Sequence, residues 1–137
     1  MTIVLDASIT MAWCFEDEAS TETGAVLQRL RDEPAAVPAL WPLEVANMLV
    51  VAQRRERMTE AQAARFVDLL RRLPIHVDHG TVDIGSLVLS GRRHDLTAYD
   101  AWYLLLAERL GAPLATLDQS LAAAARDAGV ELVIDPA

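Results

Sequence analysis

A chain of 137 residues with 53% hydrophobic side chains can build one compact core, and we expect a single domain over residues 1–137. Its apolar runs are too short and too interrupted by charge to cross a bilayer, and its one cysteine excludes an internal disulfide framework, so we expect a cytoplasmic protein without a membrane partner. A formal net charge of −8 at pH 7 argues, taken alone, against a nucleic-acid partner.

Short, largely apolar runs recur along the chain and predict β-strands. They lie at Thr2–Leu5, Ala36–Ala39, Ile75–Asp78, Leu114–Leu117 and Glu131–Ile134. Runs of this kind are typical of strands that are buried on both faces of a sheet.

Helical patterns fill the intervals between these strands. They are predicted at Thr21–Arg31, Pro42–Arg55, Thr59–Arg72, Val82–Arg93, Ala98–Leu110 and Ser120–Ala128. Pro42 suits the first turn of its helix, and Thr59 with Gln62 has the spacing of a capping box. Strands that alternate with helices predict an α/β fold in which a parallel sheet carries helices on both faces.

In such a fold, the loops after the strands and the N-termini of the helices gather at one edge of the sheet, where ligands bind. Two acids directly follow strands, Asp6 after the first and Asp118 after the fourth. Two more fall in the first turns of predicted helices, Glu44 and Asp100. We therefore expect four carboxylates to converge at this edge.

Each acid also has a purely structural explanation. Acids are favoured at helix N-termini because free backbone amides and the helix dipole attract negative charge. Asp6 and Asp118 would then be N-caps, and Thr97 with Asp100 a variant capping box. Glu44 would simply complement the dipole of its helix.

Four carboxylates at one edge would repel one another unless a counter-charge is present. A divalent cation removes this repulsion, and hard oxygen ligands suit Mg²⁺ or Mn²⁺. Three further polar residues accompany the acids: Ser8, Asn47 and Thr116. Thr116 would share a strand face with Asp118, and Asn47 a helix face with Glu44. Each also has a bland explanation, as a cap, an exposed helix residue or a strand former.

Three segments, taken together, resemble PIN-domain ribonucleases, specifically VapC-type toxins of bacterial toxin–antitoxin pairs. They are "IVLDAS" (Ile3–Ser8), "WPLEVANML" (Trp41–Leu49) and "LTAYDAWYLLLAERLGAPLATLDQSL" (Leu96–Leu121). With a short strand at the end, the resemblance spans almost the whole chain. It assigns the family's acidic positions to Asp6, Glu44, Asp100 and Asp118. It assigns the accompanying polar positions to Ser8, Asn47 and Thr116.

The resemblance implies a five-stranded parallel sheet and an endoribonuclease that depends on one or two Mg²⁺ or Mn²⁺ ions. It implies an RNA substrate such as tRNA or a ribosomal RNA loop. It further implies a homodimer that joins a VapB-type antitoxin in a larger complex, with the antitoxin covering the active site and carrying any contact with operator DNA. Asp6 and Asp100 would be the main metal ligands, and Glu44 and Asp118 would complete the site and activate water.

The distribution of charge bears on the RNA substrate. All basic residues are arginines, and the segment 54–93 holds eight of them against five acids, a net charge of +3. The remaining residues hold four arginines against fifteen acids, a net charge of −11. The central helices could therefore attract RNA although the whole chain is acidic. A solvated helix face would explain the same arginines.

Two other classes of function remain open. A strand that ends in aspartate also begins aspartate-based phosphotransfer domains, which include haloacid-dehalogenase-type phosphatases and receiver domains. The phosphatases usually carry a second acid two residues after the aspartate, where this chain has Ser8. Receiver domains need a late lysine, and this chain has no lysine. A non-catalytic, partner-binding PIN-like module is the other alternative.

Overall fold

A computed structural model describes residues 1–136, apart from the side chain of Glu16, and contains a parallel four-stranded sheet within that range. Its strands are β1 (Ile3–Leu5), β2 (Ala35–Pro38), β3 (Ile75–Asp78) and β4 (Leu114–Ala115), in the spatial order β3-β2-β1-β4. Every neighbouring pair is parallel. The α/β class predicted from the sequence is confirmed.

Seven α-helices lie between or after these strands in residues 1–136. They are α1 (Ala7–Cys14), α2 (Thr21–Arg29), α3 (Leu40–Arg54), α4 (Glu60–Arg72), α5 (Ile84–His94), α6 (Ala98–Leu110) and α7 (Gln119–Asp127). A short 3₁₀ turn (Glu16–Glu18) follows α1. None of the helices in this range combines the length and the apolar character needed to cross a membrane.

The centre of the sheet is covered on both faces. All three side chains of β1 are fully buried, and successive side chains of a strand point to opposite faces. Helix α6 packs against β1 and β2, while α1 packs against α3. Because all strands are parallel, the chain leaves β1 and β4 at the same edge of the sheet, as the sequence predicts.

The predicted fifth strand at Glu131–Ile134 is shorter than expected. Only Leu132 pairs with the sheet, through an isolated parallel bridge to Leu114. The Leu114 amide donates to the Glu131 carbonyl at 2.8 Å, and the Val133 amide donates to the Leu114 carbonyl at 2.9 Å. The partner strand β4 has only two residues, so it cannot support a longer ladder on its outer side.

Helix α1 was not predicted. Its sequence, "ASITMAWC", is buried on most sides, so it lacks the one-sided apolar stripe that indicates a surface helix. It also contains the β-branched residues Ile9 and Thr10, which lower helix propensity.

The start of α3 was predicted two residues late. The helix begins at Leu40, so Pro42 is its third residue, and Glu44 lies beyond the first turn rather than in it. Proline is tolerated at this third position because the first amides of a helix have no intrahelical acceptor. The dipole explanation for Glu44 is correspondingly weaker, since the effect falls off beyond the first turn.

The predicted capping box of α4 is formed. The Gln62 amide donates to Thr59 Oγ1 at 3.1 Å, and the Thr59 amide donates to Gln62 Oε1 at 2.9 Å. We expect Thr59→Ala to lower the free energy of unfolding by ~1 kcal/mol, because one amide of the first turn loses its acceptor. Urea denaturation measures the loss. Thr81→Ala, the same change at another exposed position, is the control; equal effects of the two substitutions would contradict the role of the cap.

Candidate active site

The site is built around Asp6, which directly follows β1 and forms the N-cap of α1. The residue is only 4% exposed. The backbone amides of Ser8 and Ile9 donate to Asp6 Oδ1 at 2.9 and 3.4 Å. The cap interpretation is therefore correct for Asp6, and it accounts for one of the two carboxylate oxygens.

Two hydroxyl groups connect Asp6 to the loop after β4. Ser8 Oγ donates to Asp6 Oδ1 and accepts from the Leu117 amide at 2.9 Å. Thr116 Oγ1 donates to Asp6 Oδ2 at 2.6 Å and accepts from the Asp118 amide at 3.0 Å. Each hydroxyl thus connects a backbone amide of the β4 loop to one oxygen of Asp6. Thr116 lies just after β4 and bonds to Asp6 through its side chain, whereas the sequence pairs it with Asp118 on a strand face.

Burial raises the pKa of Asp6 from 3.8 to about 6. The hydrogen bonds from Ser8, Thr116 and the Ile9 amide act in the opposite direction, because they stabilise the ionised carboxylate. Desolvation exceeds the hydrogen bonds in this balance. An ionised Asp6 is consequently a cost to the fold that other interactions must offset.

Asp118 follows the same local pattern as Asp6. It is the N-cap of α7, where its Oδ1 accepts from the Leu121 amide at 2.9 Å. It is half-buried, and its backbone amide donates the hydrogen bond that Thr116 Oγ1 accepts. Two of the four acids are thus N-caps, and the cap fixes the position of each carboxylate at the sheet edge.

Asp100 differs from these two acids. It lies in the first turn of α6, and its amide donates to the N-cap Thr97 at 3.2 Å. Its carboxylate accepts no hydrogen bond from any residue in 1–136, so the capping box suggested by the sequence is only half formed. Burial raises the pKa of Asp100, and the charges of Asp118 and Glu44 raise it further. These Coulomb effects mean that the three carboxylates share one electrostatic field.

Glu44 reaches the site from α3 and meets a residue that the sequence did not single out. Tyr103 donates its hydroxyl proton to Glu44 Oε1 at an oxygen–oxygen distance of 2.5 Å. The tyrosine is 1% exposed, and burial together with the charges of Glu44 and Asp6 raises its pKa. A sequence signal for it existed, because Tyr103 lies three residues after Asp100 on the same helix.

Asn47 is exposed on α3, one turn after Glu44. Its side chain forms no hydrogen bond with any side chain or backbone group in residues 1–136. Its expected part in the site stays a prediction.

Carboxylate oxygens are the ligands that Mg²⁺ and Mn²⁺ prefer. Among the side chains that the structure describes, however, no three from Asp, Glu, His or Cys lie close enough to hold a metal ion by themselves. Mg²⁺ usually binds one or two carboxylates and keeps several waters. The unpaired Asp100 carboxylate, in the field of Asp118 and Glu44, fits a hydrated ion of this kind.

With this geometry established, comparison with known proteins identifies the family. The PIN domain model matches residues 3–127. The chain belongs to the PIN-domain family. Ribonuclease VapC3 of Pyrobaculum aerophilum is 32% identical over 127 residues, which cover 89% of this chain and 93% of that protein. Ribonuclease VapC9 of Mycobacterium tuberculosis is 33% identical over 119 residues, 87% of each chain.

The relatives support a PIN domain of the VapC ribonuclease type, as the sequence motifs indicate. The PIN fold is also found in a solved structure. The crystal structure of PAE2754 from Pyrobaculum aerophilum has a TM-score of 0.74 with this chain at 22% identity, covering 99% of this chain and 90% of that one. The matched range of the PIN family includes all four acids and their polar companions.

The raised pKa of Asp6 predicts how metal-free stability depends on pH. Folded Asp6, with a pKa of about 6, holds its proton more tightly than the unfolded chain does, whose reference value is 3.8. Ionised Asp6 therefore destabilises the fold above about pH 6, and the penalty disappears as the pH falls towards 4. Asp6→Asn carries no such penalty. We expect it to be at least as stable as the parent at neutral pH, by up to about 3 kcal/mol, and to lose this advantage in acid.

Urea unfolding in EDTA between about pH 8 and pH 5 measures the difference between the two proteins. Asp32→Asn, at an exposed position, is the matched control. A stability difference that does not change with pH would contradict the prediction. A markedly less stable Asp6→Asn at neutral pH would assign Asp6 to capping alone.

Proposed function

We propose that this PIN domain is a metal-dependent endoribonuclease toxin that hydrolyses RNA phosphodiester bonds and is inhibited by a cognate antitoxin. The observation that carries the proposal is the unpaired carboxylate of Asp100 in the field of Asp118 and Glu44. The names of the relatives, which are VapC ribonucleases, support the same activity.

Asp6 and Asp100 would be the main ligands of one or two Mg²⁺ or Mn²⁺ ions, directly or through water. Glu44 and Asp118 would complete the site. The bound metal would lower the pKa of a coordinated water and neutralise charge on the phosphate. The two hydroxyl relays from the β4 loop hold Asp6 rigidly, so the ligand would not have to be ordered when the ion binds.

The chain's own residues would handle the proton and orient the water. Glu44 or Asp118 would accept a proton from the water that attacks phosphorus, in line with the departing 3′ oxygen. The phosphorus–O3′ bond would break as the new phosphorus–oxygen bond forms on the opposite side, and the departing O3′ would take a proton from solvent water. The products would be a 5′-phosphate and a 3′-hydroxyl.

The central arginines would supply the attraction to RNA. Six exposed arginines of the basic segment form no ion pair within residues 1–136: Arg54, Arg55, Arg65, Arg72, Arg92 and Arg93. Free guanidinium groups can neutralise phosphates, which the acidic remainder of the chain cannot do. A tRNA or a ribosomal RNA loop is the proposed substrate, and the proposed location is the cytoplasm.

The VapC relatives support a VapB-type antitoxin as the protein partner, and we propose that operator DNA is bound only through it. We also propose a homodimer that assembles with the antitoxin into a larger complex. Ile84 and Val88, one turn apart on α5, are exposed, and so is Leu89, which supports burial of this helix against another chain.

Two features of the sequence argue against aspartate-based phosphotransfer. Ser8 stands where the phosphatases usually carry a second acid, and the chain has none of the lysines that receiver domains need. A non-catalytic binding module would not explain why the half-buried carboxylate of Asp100 lacks a hydrogen-bond donor within residues 1–136. Both alternatives predict a protein that does not cleave RNA.

We expect antitoxin-free protein to cleave RNA with Mg²⁺ or Mn²⁺, to stop in EDTA, and to lose at least about 100-fold in rate on Asp100→Asn. The substitution removes the unpaired carboxylate and keeps the shape of the side chain. Gel analysis of total tRNA and ribosomal RNA fragments measures cleavage, and sequencing of the ends identifies the site. Asp32→Asn should cleave like the parent. Cleavage that survives EDTA, or full activity of folded Asp100→Asn, would overturn the mechanism.

The arginine proposal predicts weaker RNA binding and a weaker salt dependence. We expect Arg54→Gln with Arg55→Gln to reduce the slope of log affinity against log salt by roughly 0.7–0.9 for each phosphate that the protein no longer neutralises. Fluorescence anisotropy with Asp100→Asn protein in EDTA measures binding without cleavage. Arg31→Gln, an exposed arginine outside the basic segment, is the control. An unchanged slope for the double variant would assign these two arginines to a solvated face.

A further inference from the structure

Tyr103 contributes a buried hydroxyl group to a site that otherwise presents carboxylates and small hydroxyls. Its ring belongs to the core beneath α6 and is 1% exposed, so the position of the hydroxyl is set by packing. The hydroxyl lies 2.5 Å from Glu44 Oε1 and within the electrostatic influence of Asp6. It is therefore a neutral donor placed at the charged part of the site.

Glu44 depends on this donor more than the other acids depend on any single group. Asp6 is held by two amides and two hydroxyls, and Asp118 is held by its cap. Glu44 has a longer side chain with more rotatable bonds, and its hydrogen bond within residues 1–136 is the one from Tyr103. A rigid donor on one oxygen restricts those rotations and leaves the second oxygen, Oε2, without a protein donor in the same range.

We propose that Tyr103 is a positioning residue for the nuclease reaction: its hydroxyl anchors Oε1 of Glu44 and thereby reserves Oε2 for the hydrated cation or the attacking water. This role rests on the proposed function. If it is correct, helix α6 contributes two groups to the site: the unpaired Asp100 carboxylate and, one turn later, the Tyr103 hydroxyl that holds Glu44 of α3.

The test compares Tyr103→Phe with the parent protein. The substitution removes one oxygen and keeps the ring that fills the core. We expect Mn²⁺ affinity to fall by about 10–100-fold, the usual effect of losing a hydrogen-bond partner of a metal ligand, and kcat to fall while KM for RNA stays within about twofold. Mn²⁺ binding is measured without RNA, through the relaxation rate of water protons.

Tyr99→Phe is the matched control, because Tyr99 is the only other tyrosine of the chain, lies on the same helix and is 62% exposed. It should bind Mn²⁺ like the parent. Parent-like Mn²⁺ affinity and kcat in folded Tyr103→Phe would overturn the proposal.

A double-substitution cycle separates positioning from a general structural role. If Tyr103 acts through Glu44, then Tyr103→Phe should cause no further reduction of Mn²⁺ affinity in a Glu44→Ala background. A structural role that is independent of Glu44 would make the two reductions additive, and additivity would overturn the proposal.

A spectroscopic measurement covers the case in which Tyr103→Phe does not fold. Labelling tyrosine at Cζ with ¹³C gives two signals from the two tyrosines of this chain. We expect saturating Mg²⁺ and, separately, Glu44→Gln to shift the Tyr103 signal and leave the Tyr99 signal in place. A Tyr103 signal that responds to neither would overturn the proposal. The proposed function itself would fail differently, since the parent protein would then neither bind Mn²⁺ nor cleave RNA.

Discussion

The burial of one carboxylate, that of Asp6, is the constraint on which the site depends. A carboxylate at the end of a central strand loses most of its hydration, and the fold compensates with two backbone amides and two hydroxyls. The hydroxyls are in turn held by amides of the loop after β4. The end of β1 and the end of β4 are thereby joined through a single acid, and the position of Asp118 follows from the same network.

The hydrogen bonds of Asp6 and Asp118 show that an acid can cap a helix and still be available as an ion ligand. Asp6 and Asp118 satisfy free amides at the starts of α1 and α7, and this makes each carboxylate rigid. A capped acid keeps lone pairs that its cap does not use, so it can contribute to an ion site as well. Asp100 differs from these two acids: its backbone amide donates to Thr97, but its carboxylate accepts no hydrogen bond from the described residues. The acids that cap helices and the acid whose carboxylate has no donor among the described residues are thus different residues.

Negative and positive charge are also separated along the chain. The raised pKa of Asp100 reflects burial and the neighbouring charges of Asp118 and Glu44, and no cationic side chain among the described residues offsets these effects at Asp100. The arginines are concentrated in another part of the sequence, on α3, α4 and α5. Under the proposed function, a cation bound at the acids would let phosphate approach a site that is negatively charged by itself. Tyr103 moderates the repulsion at Glu44 with a neutral hydrogen bond rather than with a charge.

The sequence by itself determined the alternation of strands and helices, the span of α6, the capping box of α4 and the family. It also predicted that four acids lie at one edge, because the carboxyl ends of parallel strands and the starts of the following helices meet on the same side of a sheet. It did not reveal α1, whose burial on most sides removes the amphipathic signal, nor that the last strand is reduced to one bridge by the two-residue length of β4. Only the tertiary structure decided which groups satisfy the acids. The Thr116–Asp6 and Tyr103–Glu44 hydrogen bonds join residues 110 and 59 positions apart, and no local pattern of side chains encodes contacts at such separations.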